Sequence, residues 1–261
     1  MGLPRQWRIL VLDMPGHGES SFDPTQDYSP FGMAEKVDMF VEAVGLERFH
    51  LVGESLGACI SASYGSTYPH KLDSLTLLCP PITHRLSNGV ATKYIKEFEV
   101  TGQLSLLFPQ CPDEFQQMID VVLYNPSLFT FHYRMRQALL SLQMEHYHHF
   151  DKIQKDLRKT QEGDREVRQL AKNITMPLFI LWGQHDRVCD VSGASILHSL
   201  VRGSRVQVLE RCGHAISLER PRKCAQLLTD FISHTAAATI RPTAPLHTPP
   251  HFAPIAPPVM C

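Results

Sequence analysis

Along the chain, short runs of apolar residues alternate with stretches in which apolar residues recur every three or four positions. Trp7-Arg8-Ile9-Leu10-Val11-Leu12 reads as a buried strand that ends at Asp13-Met14-Pro15-Gly16-His17-Gly18. Residues 32–44 place Met33, Val37, Phe40, Val41 and Val44 on one helical face, and Gly45 suits a helix stop. Phe49-His50-Leu51-Val52-Gly53 is a second predicted strand, and residues 56–68 form a helix closed before Pro69. Leu75-Thr76-Leu77-Leu78-Cys79 is a third strand, stopped by Pro80-Pro81. Pro177-Leu178-Phe179-Ile180-Leu181-Trp182 is a fourth, and Val206-Gln207-Val208-Leu209 a fifth, followed by a helix over 221–234. Short strands separated by helices predict an α/β fold with a mainly parallel sheet covered on both faces.

Between residues 82 and 172 the rhythm changes. Strand-like runs give way to amphipathic helical segments, among them 114–123 and 133–149. An all-helical insertion between two strands of a parallel sheet predicts a lid over a site. After residue 235 the chain changes again: residues 236–261 hold 7 prolines and one charged residue, Arg241, the composition of a disordered or polyproline-like tail. The organisation expected is therefore a core over 1–81, a helical lid over 82–172, the rest of the core over 173–235, and a tail over 236–261.

Composition narrows the function classes. The 261 residues are 43% hydrophobic and 20% charged, which suits a globular protein and is too apolar for general disorder. A net charge of -1 supplies no field of one sign to gather nucleic acid or anionic lipid. No apolar run approaches the roughly 18 residues that span a bilayer, and the first residues lack a signal-peptide pattern, so the chain as written reads as cytosolic. The 7 cysteines are scattered and contain no C-x-x-C pair, which argues against a disulfide framework or a zinc cluster.

The chemistry concentrates in three loops. Gly53-Glu54-Ser55-Leu56-Gly57 follows a predicted strand and opens a predicted helix, the setting of a nucleophile elbow. Such a turn holds Ser55 in strained geometry with its hydroxyl at the strand's C-terminal end. Gly53 and Gly57, with the small Ala58, are expected to keep side chains out of a crowded backbone crossing. The Leu56 N–H at the helix start is expected to donate to an oxyanion. A serine hydroxyl needs a base, and that base needs an orienting acid. Asp186 follows the fourth strand in Gly183-Gln184-His185-Asp186, and His214 follows the fifth in Cys212-Gly213-His214, giving the order Ser, Asp, His. Asp190 is the alternative acid, although its place before the next helix suits an N-cap. His146, His148 and His149 lack the pairing of a zinc site and read as a solvated helix face, and His185 as a surface residue. With no G-x-G-x-x-G and no phosphate-binding loop, no cofactor and no metal are expected.

These segments resemble the α/β-hydrolase superfamily, and within it the membrane-associated monoacylglycerol lipases of the α/β-hydrolase-domain group. The resemblance is carried by Val11-Leu12-Asp13-Met14-Pro15-Gly16-His17, by His50 through Gly57, by Leu181 through Asp186, by Asp190-Val191-Ser192-Gly193-Ala194, and by Cys212-Gly213-His214 through Glu219-Arg220-Pro221-Arg222-Lys223. It implies hydrolysis of a fatty-acyl ester of glycerol, with Ser55 as nucleophile, His214 as general base and Asp186 orienting it. The insertion would shield the acyl chain, and its apolar helices could touch a membrane surface. The resemblance further implies three strands before Trp7, a His-Gly oxyanion loop after the third, and a membrane-anchoring helix that places full-length members in endosomal, lysosomal and other intracellular membranes. Gly16-His17-Gly18 suits the loop after the fourth strand instead. The expectation is thus an α/β-hydrolase fold whose sheet lacks its first three strands, in a truncated chain whose activity is impaired by the missing oxyanion loop. The alternatives are a catalytically dead isoform that acts as a binding or decoy module, and another serine-triad hydrolase such as a carboxylesterase or a carbon–carbon bond hydrolase.

Overall fold

The computed structural model describes residues 3–82, 90–101, 105–129, 132–144, 147–159 and 164–238. In chain order the elements are α1 (Pro30–Ala43), β1 (Phe49–Glu54), α2 (Leu56–Thr67), β2 (Leu72–Leu78), α3 (Lys93–Thr101), α4 (Pro112–Val122), α5 (Tyr133–Met144), α6 (Tyr147–Lys159), α7 (Asp164–Asn173), β3 (Leu178–Gly183), α8 (Ser192–Leu200), β4 (Arg205–Leu209), α9 (Ile216–Glu219) and α10 (Pro221–Ala238). The strands form one parallel sheet in the order β1-β2-β3-β4, with Leu51 opposite Leu75, Leu77 opposite Ile180 and Ile180 opposite Val206. Sequential strands lie side by side because each is returned to the sheet by at least one helix.

The β-branched and leucine-rich runs become the interior. Every residue of β3 is buried, and in β2 only Asp73 is not fully so. Leu75, Leu77, Phe179, Leu181 and Trp182 are essentially inaccessible, and Met33, Val37 and Val41 of α1 join the same cluster at the spacing read from the sequence. Trp182 is too large to bury without a partner for its N–H; Nε1 donates to the Cys189 carbonyl at 3.0 Å. Helix α1 starts where Ser29 caps it, its hydroxyl accepting from the Gly32 N–H.

The first predicted strand is a correction. Trp7–Leu12 makes no ladder; Ile9, Leu10 and Val11 are 54%, 41% and 88% exposed. An apolar run becomes a strand only beside another strand's free N–H and C=O groups. Among the described residues no strand pairs with this segment, and the outer edge of β1 stays uncovered by it. Only Trp7 and Leu12 pack on the core, and β1 forms one border of the sheet with Val52 at 42% exposure. Over the span 133–149, expected to be one helix, the structure gives α5 ending at Met144 and α6 beginning at Tyr147; residues 145–146 lie outside the described set. Helix α10 reaches Ala238, inside the segment expected to be tail, and the rest of that tail, residues 239–261, also lies outside the described set.

Among the described residues, all elements between β2 and β3 are helical. They fasten onto the core through polar as well as apolar contacts. Asp156 of α6, 2% exposed, accepts from the Tyr28 N–H at 3.0 Å and pairs with Lys152, whose ammonium also reaches the Gln26 carbonyl at 3.1 Å. Across β1 and β2, His50 Nδ1 lies 2.8 Å from the Ser74 hydroxyl. Burial holds the His50 imidazole below its ordinary pKa.

The unfolded chain therefore takes up a proton at His50 before the folded one does, and this contribution to stability is lost as pH falls. Unfolding midpoints in urea should drop from pH about 7 to about 5.5, and His50→Gln should flatten that part of the profile. An unchanged slope in the variant would assign the dependence elsewhere.

Candidate active site

Ser55 stands alone between β1 and α2 with φ 54° and ψ -119°, a left-handed conformation that costs a serine energy. Its N–H donates to the Leu78 carbonyl at 2.9 Å, so the end of β2 holds the turn. A Cβ on Gly53 would sit inside the contact shell of the Gly57 carbonyl and the Ser61 hydroxyl; only glycine lets the strand pass the helix there. The expectation for Gly57 is corrected: a Cβ at that position meets nothing within 4 Å, and what crowds Gly53 is the Gly57 carbonyl. Leu56 is the first residue of α2, whose first turn carries no acidic side chain. Its N–H is one of those that a helix start leaves without an intrahelical partner.

The other two loops converge on this hydroxyl. His214 Nε2 lies 2.8 Å from Ser55 Oγ, and His214 Nδ1 lies 2.8 Å from Asp186 Oδ2. The second oxygen, Oδ1, accepts from the Val188 and Cys189 N–H groups, each at 2.8 Å. The carboxylate is thus fixed at both oxygens, and its side chain is fully buried beside an imidazole that is 7% exposed. A carboxylate can only accept, so the bonding assigns the Nδ1 proton to face Asp186 and leaves Nε2 to accept from Ser55. Asp190, the alternative acid, instead accepts from the Ser192 N–H at 2.9 Å at the start of α8.

Cys79 lies against this pair, with its sulfur and the Asp186 and His214 donor atoms within 4.8 Å of one another. Burial, reinforced by the Asp186 charge, pushes the Cys79 thiol well above its ordinary pKa, and the same two causes act on Cys189. The arrangement is ill suited to a metal, because both Asp186 oxygens and both His214 nitrogens are already engaged and the thiol is kept protonated.

Residues that the sequence reading passed over hold the loops in place. Glu219, 7% exposed, accepts from the N–H groups of Gly213 at 2.7 Å, Asn125 at 2.7 Å and Tyr124 at 3.2 Å. Glu54 accepts from the Ser217 N–H at 3.1 Å and from its hydroxyl, tying the elbow to α9. The Val122 carbonyl at the end of α4 receives the N–H of His214 at 2.8 Å and of Ala215 at 3.1 Å. Gly213 permits that approach, since a Cβ there would lie 2.6 Å from the Val122 oxygen. The one signal available in sequence was an acidic residue close after the apolar Ile216 and Leu218. Of the histidines expected on surfaces, His185 stacks near Tyr124 at 4.6 Å and His149 lies over Phe22 at 4.0 Å, so neither face is purely solvated. His146 lies outside the described residues.

A cavity of about 160 Å³ opens beside Ser55, walled mainly by Leu56, Ile82, Ile95, Phe98, Ile153 and Leu157. His17 also lines it, a role its loop position did not reveal; its Nδ1 is 3.1 Å from the Pro15 carbonyl. A second cavity, of about 620 Å³ and more polar, lies among α3, α4 and α6 and shares Phe108 and Gln154 with the first. Among the described residues no helix is long and apolar enough to cross a membrane.

Comparison with known proteins agrees with this geometry. The family profile of the alpha/beta hydrolase fold matches residues 2–221. Monoacylglycerol lipase abhd6-A of Xenopus laevis is 33% identical over 235 residues, spanning 88% of this chain and 69% of the relative. Monoacylglycerol lipase ABHD6 of Homo sapiens is 30% identical over the same shares. Among solved structures, a putative lipase from Acinetobacter baumannii superposes with a TM-score of 0.78 at 27% identity, over 87% of this chain and 74% of that one. A bacterial membrane phospholipase A gives a TM-score of 0.76 at 27% identity, over 85% and 68%. With its parallel sheet, its strained serine between strand and helix, and relatives named as monoacylglycerol lipases, the chain belongs to the α/β-hydrolase family.

Proposed function

We propose that the chain is a serine hydrolase of monoacylglycerol-lipase type, cleaving fatty-acyl esters of glycerol through an acyl-enzyme. One observation carries the reading: the Ser55–His214–Asp186 hydrogen-bonded relay ends on an apolar cavity. Ser55 Oγ attacks the ester carbonyl while His214 Nε2 takes its proton. Asp186 keeps the imidazole in the tautomer that can accept, and stabilises the imidazolium that forms. The developing alkoxide is met by the Leu56 N–H at the positive end of α2. His214 returns the proton to the departing glycerol oxygen, and water then resolves the acyl-enzyme by the same steps in reverse.

The lipid part of the proposal rests on the cavity wall and on the relatives being named as monoacylglycerol lipases. An aliphatic wall beside the nucleophile rewards burial of an acyl chain at about 25 cal/mol per Å² of apolar surface. The helices between β2 and β3 are proposed as its lid. Their outer apolar residues, including Val100 at 79% and Leu142 at 63% exposure, offer a surface for contact with lipid.

Fluorophosphonate treatment of the 261-residue chain should add one adduct by intact mass, absent from Ser55→Ala. A folded chain that takes no adduct would point instead to a binding module without catalysis. Asp186→Asn should preserve the fold yet lower kcat on a monoacylglycerol by about 10⁴-fold, because the amide cannot hold His214 in the accepting tautomer. A loss under tenfold would remove Asp186 from the relay.

A further inference from the structure

Helix α2 leads away from the nucleophile along the wall of the smaller cavity, and Ser55, Cys59 and Ser63 line it at four-residue spacing. At the rise of an α-helix, Ser63 stands about 12 Å beyond Ser55 along the axis. Ser63 is 1% exposed, and its hydroxyl oxygen has no hydrogen-bond partner among the described residues. A serine inside a helix usually bonds back to the carbonyl one turn earlier. Here the Ser63 hydroxyl makes no such bond, while the Ser63 carbonyl accepts from the Thr67 hydroxyl at 2.8 Å.

The cavity's other polar linings differ in this respect. His17 bonds the Pro15 carbonyl, Ser55 bonds His214, and Gln154 has a partner of its own. The wall contributed by α6 and α7 is otherwise apolar: beside Gln154, which has its own partner, it consists of Ile153, Leu157, Val167 and Leu170, none of which can bond a hydroxyl. An unpaired hydroxyl buried in an apolar wall is destabilising unless something that enters the cavity completes it.

We propose that Ser63 is a specificity-determining residue that selects acyl chains bearing an oxygen function (hydroxyl, keto or epoxide) at mid-chain. The inference rests on the ester-hydrolase reading above and adds the acyl class that the site prefers. A plain alkyl chain leaves Ser63 unpaired on binding. An oxygen carried to its depth pairs with it, and sites that complete a buried hydrogen bond discriminate against analogues that cannot. An oxygen placed next to the ester carbonyl stays near Ser55 and gains nothing from Ser63.

The test compares three monoacylglycerols: a saturated long chain, its mid-chain hydroxylated counterpart, and the isomer hydroxylated beside the carboxyl carbon. The readout is the ratio of kcat/KM for each hydroxylated ester to the plain one, within one preparation, so the fraction of active protein cancels. The mid-chain ratio should fall about tenfold in Ser63→Ala and be retained in Ser63→Thr, while the other isomer's ratio stays the same in all three proteins. Equal mid-chain ratios in the parent and Ser63→Ala would overturn the inference while leaving ester hydrolysis intact. A short-chain acetyl ester separates the two levels. If Ser55-dependent turnover of that ester is also missing, the hydrolase reading falls and this inference falls with it.

Discussion

The site depends on one backbone crossing, where β1 turns into α2 within a single residue. Gly53 passes against the Gly57 carbonyl with no room for a Cβ, and Ser55 absorbs the change of direction at φ 54°. That strain persists because both sides of the turn are fixed: the Ser55 N–H is bonded to the end of β2, and its carbonyl receives the Ala58 N–H at 2.9 Å. The parallel sheet then does the rest. Because β1 to β4 all run the same way, the elbow, Cys79, Asp186 and the histidine loop emerge at one edge, where residues distant in sequence meet.

The histidine loop is held from two sides. Glu219 gathers three backbone N–H groups, from Gly213 and from Tyr124 and Asn125 just beyond α4. The Val122 carbonyl takes the His214 and Ala215 N–H groups. The end of α4 and the loop of the proposed base are consequently one hydrogen-bonded unit, and α4 cannot shift as a body without releasing His214. Gly213 and His214 are buried, so an orphaned N–H at either would cost about 1–3 kcal/mol.

Much of this was legible along the chain. Four strands, the helix before the elbow and the helix after His214 were visible because an apolar run or a periodic face marks each one locally. The three loops carrying Ser55, Asp186 and His214 were legible because the order of residue types after successive strands is itself a pattern. The strand read at Trp7–Leu12 failed because the local signal says nothing of pairing, and the segment pairs with none of the described strands. Gly57 was given a packing reason that belongs to Gly53 alone. The cavity could not have been read, since its wall is assembled from α2, the segment after β2, α3, α6 and α7, and no local spacing encodes such a meeting.

The thiols around Asp186 show how the relay's electrostatics are kept simple. Cys79 and Cys189 are buried against the carboxylate, and burial followed by the carboxylate's own charge keeps both protonated. A thiolate at either position would place a second anion beside Asp186 in a medium of low dielectric, which is strongly unfavourable. A neutral thiol fills the same space and leaves the carboxylate as the anion facing His214. In the proposed mechanism, the imidazolium formed when Ser55 gives up its proton meets one fixed negative charge, held by the Val188 and Cys189 N–H groups and unable to turn away. The cysteines thus contribute small, apolar, uncharged packing that confines negative charge to the oxygen where the proposed chemistry uses it.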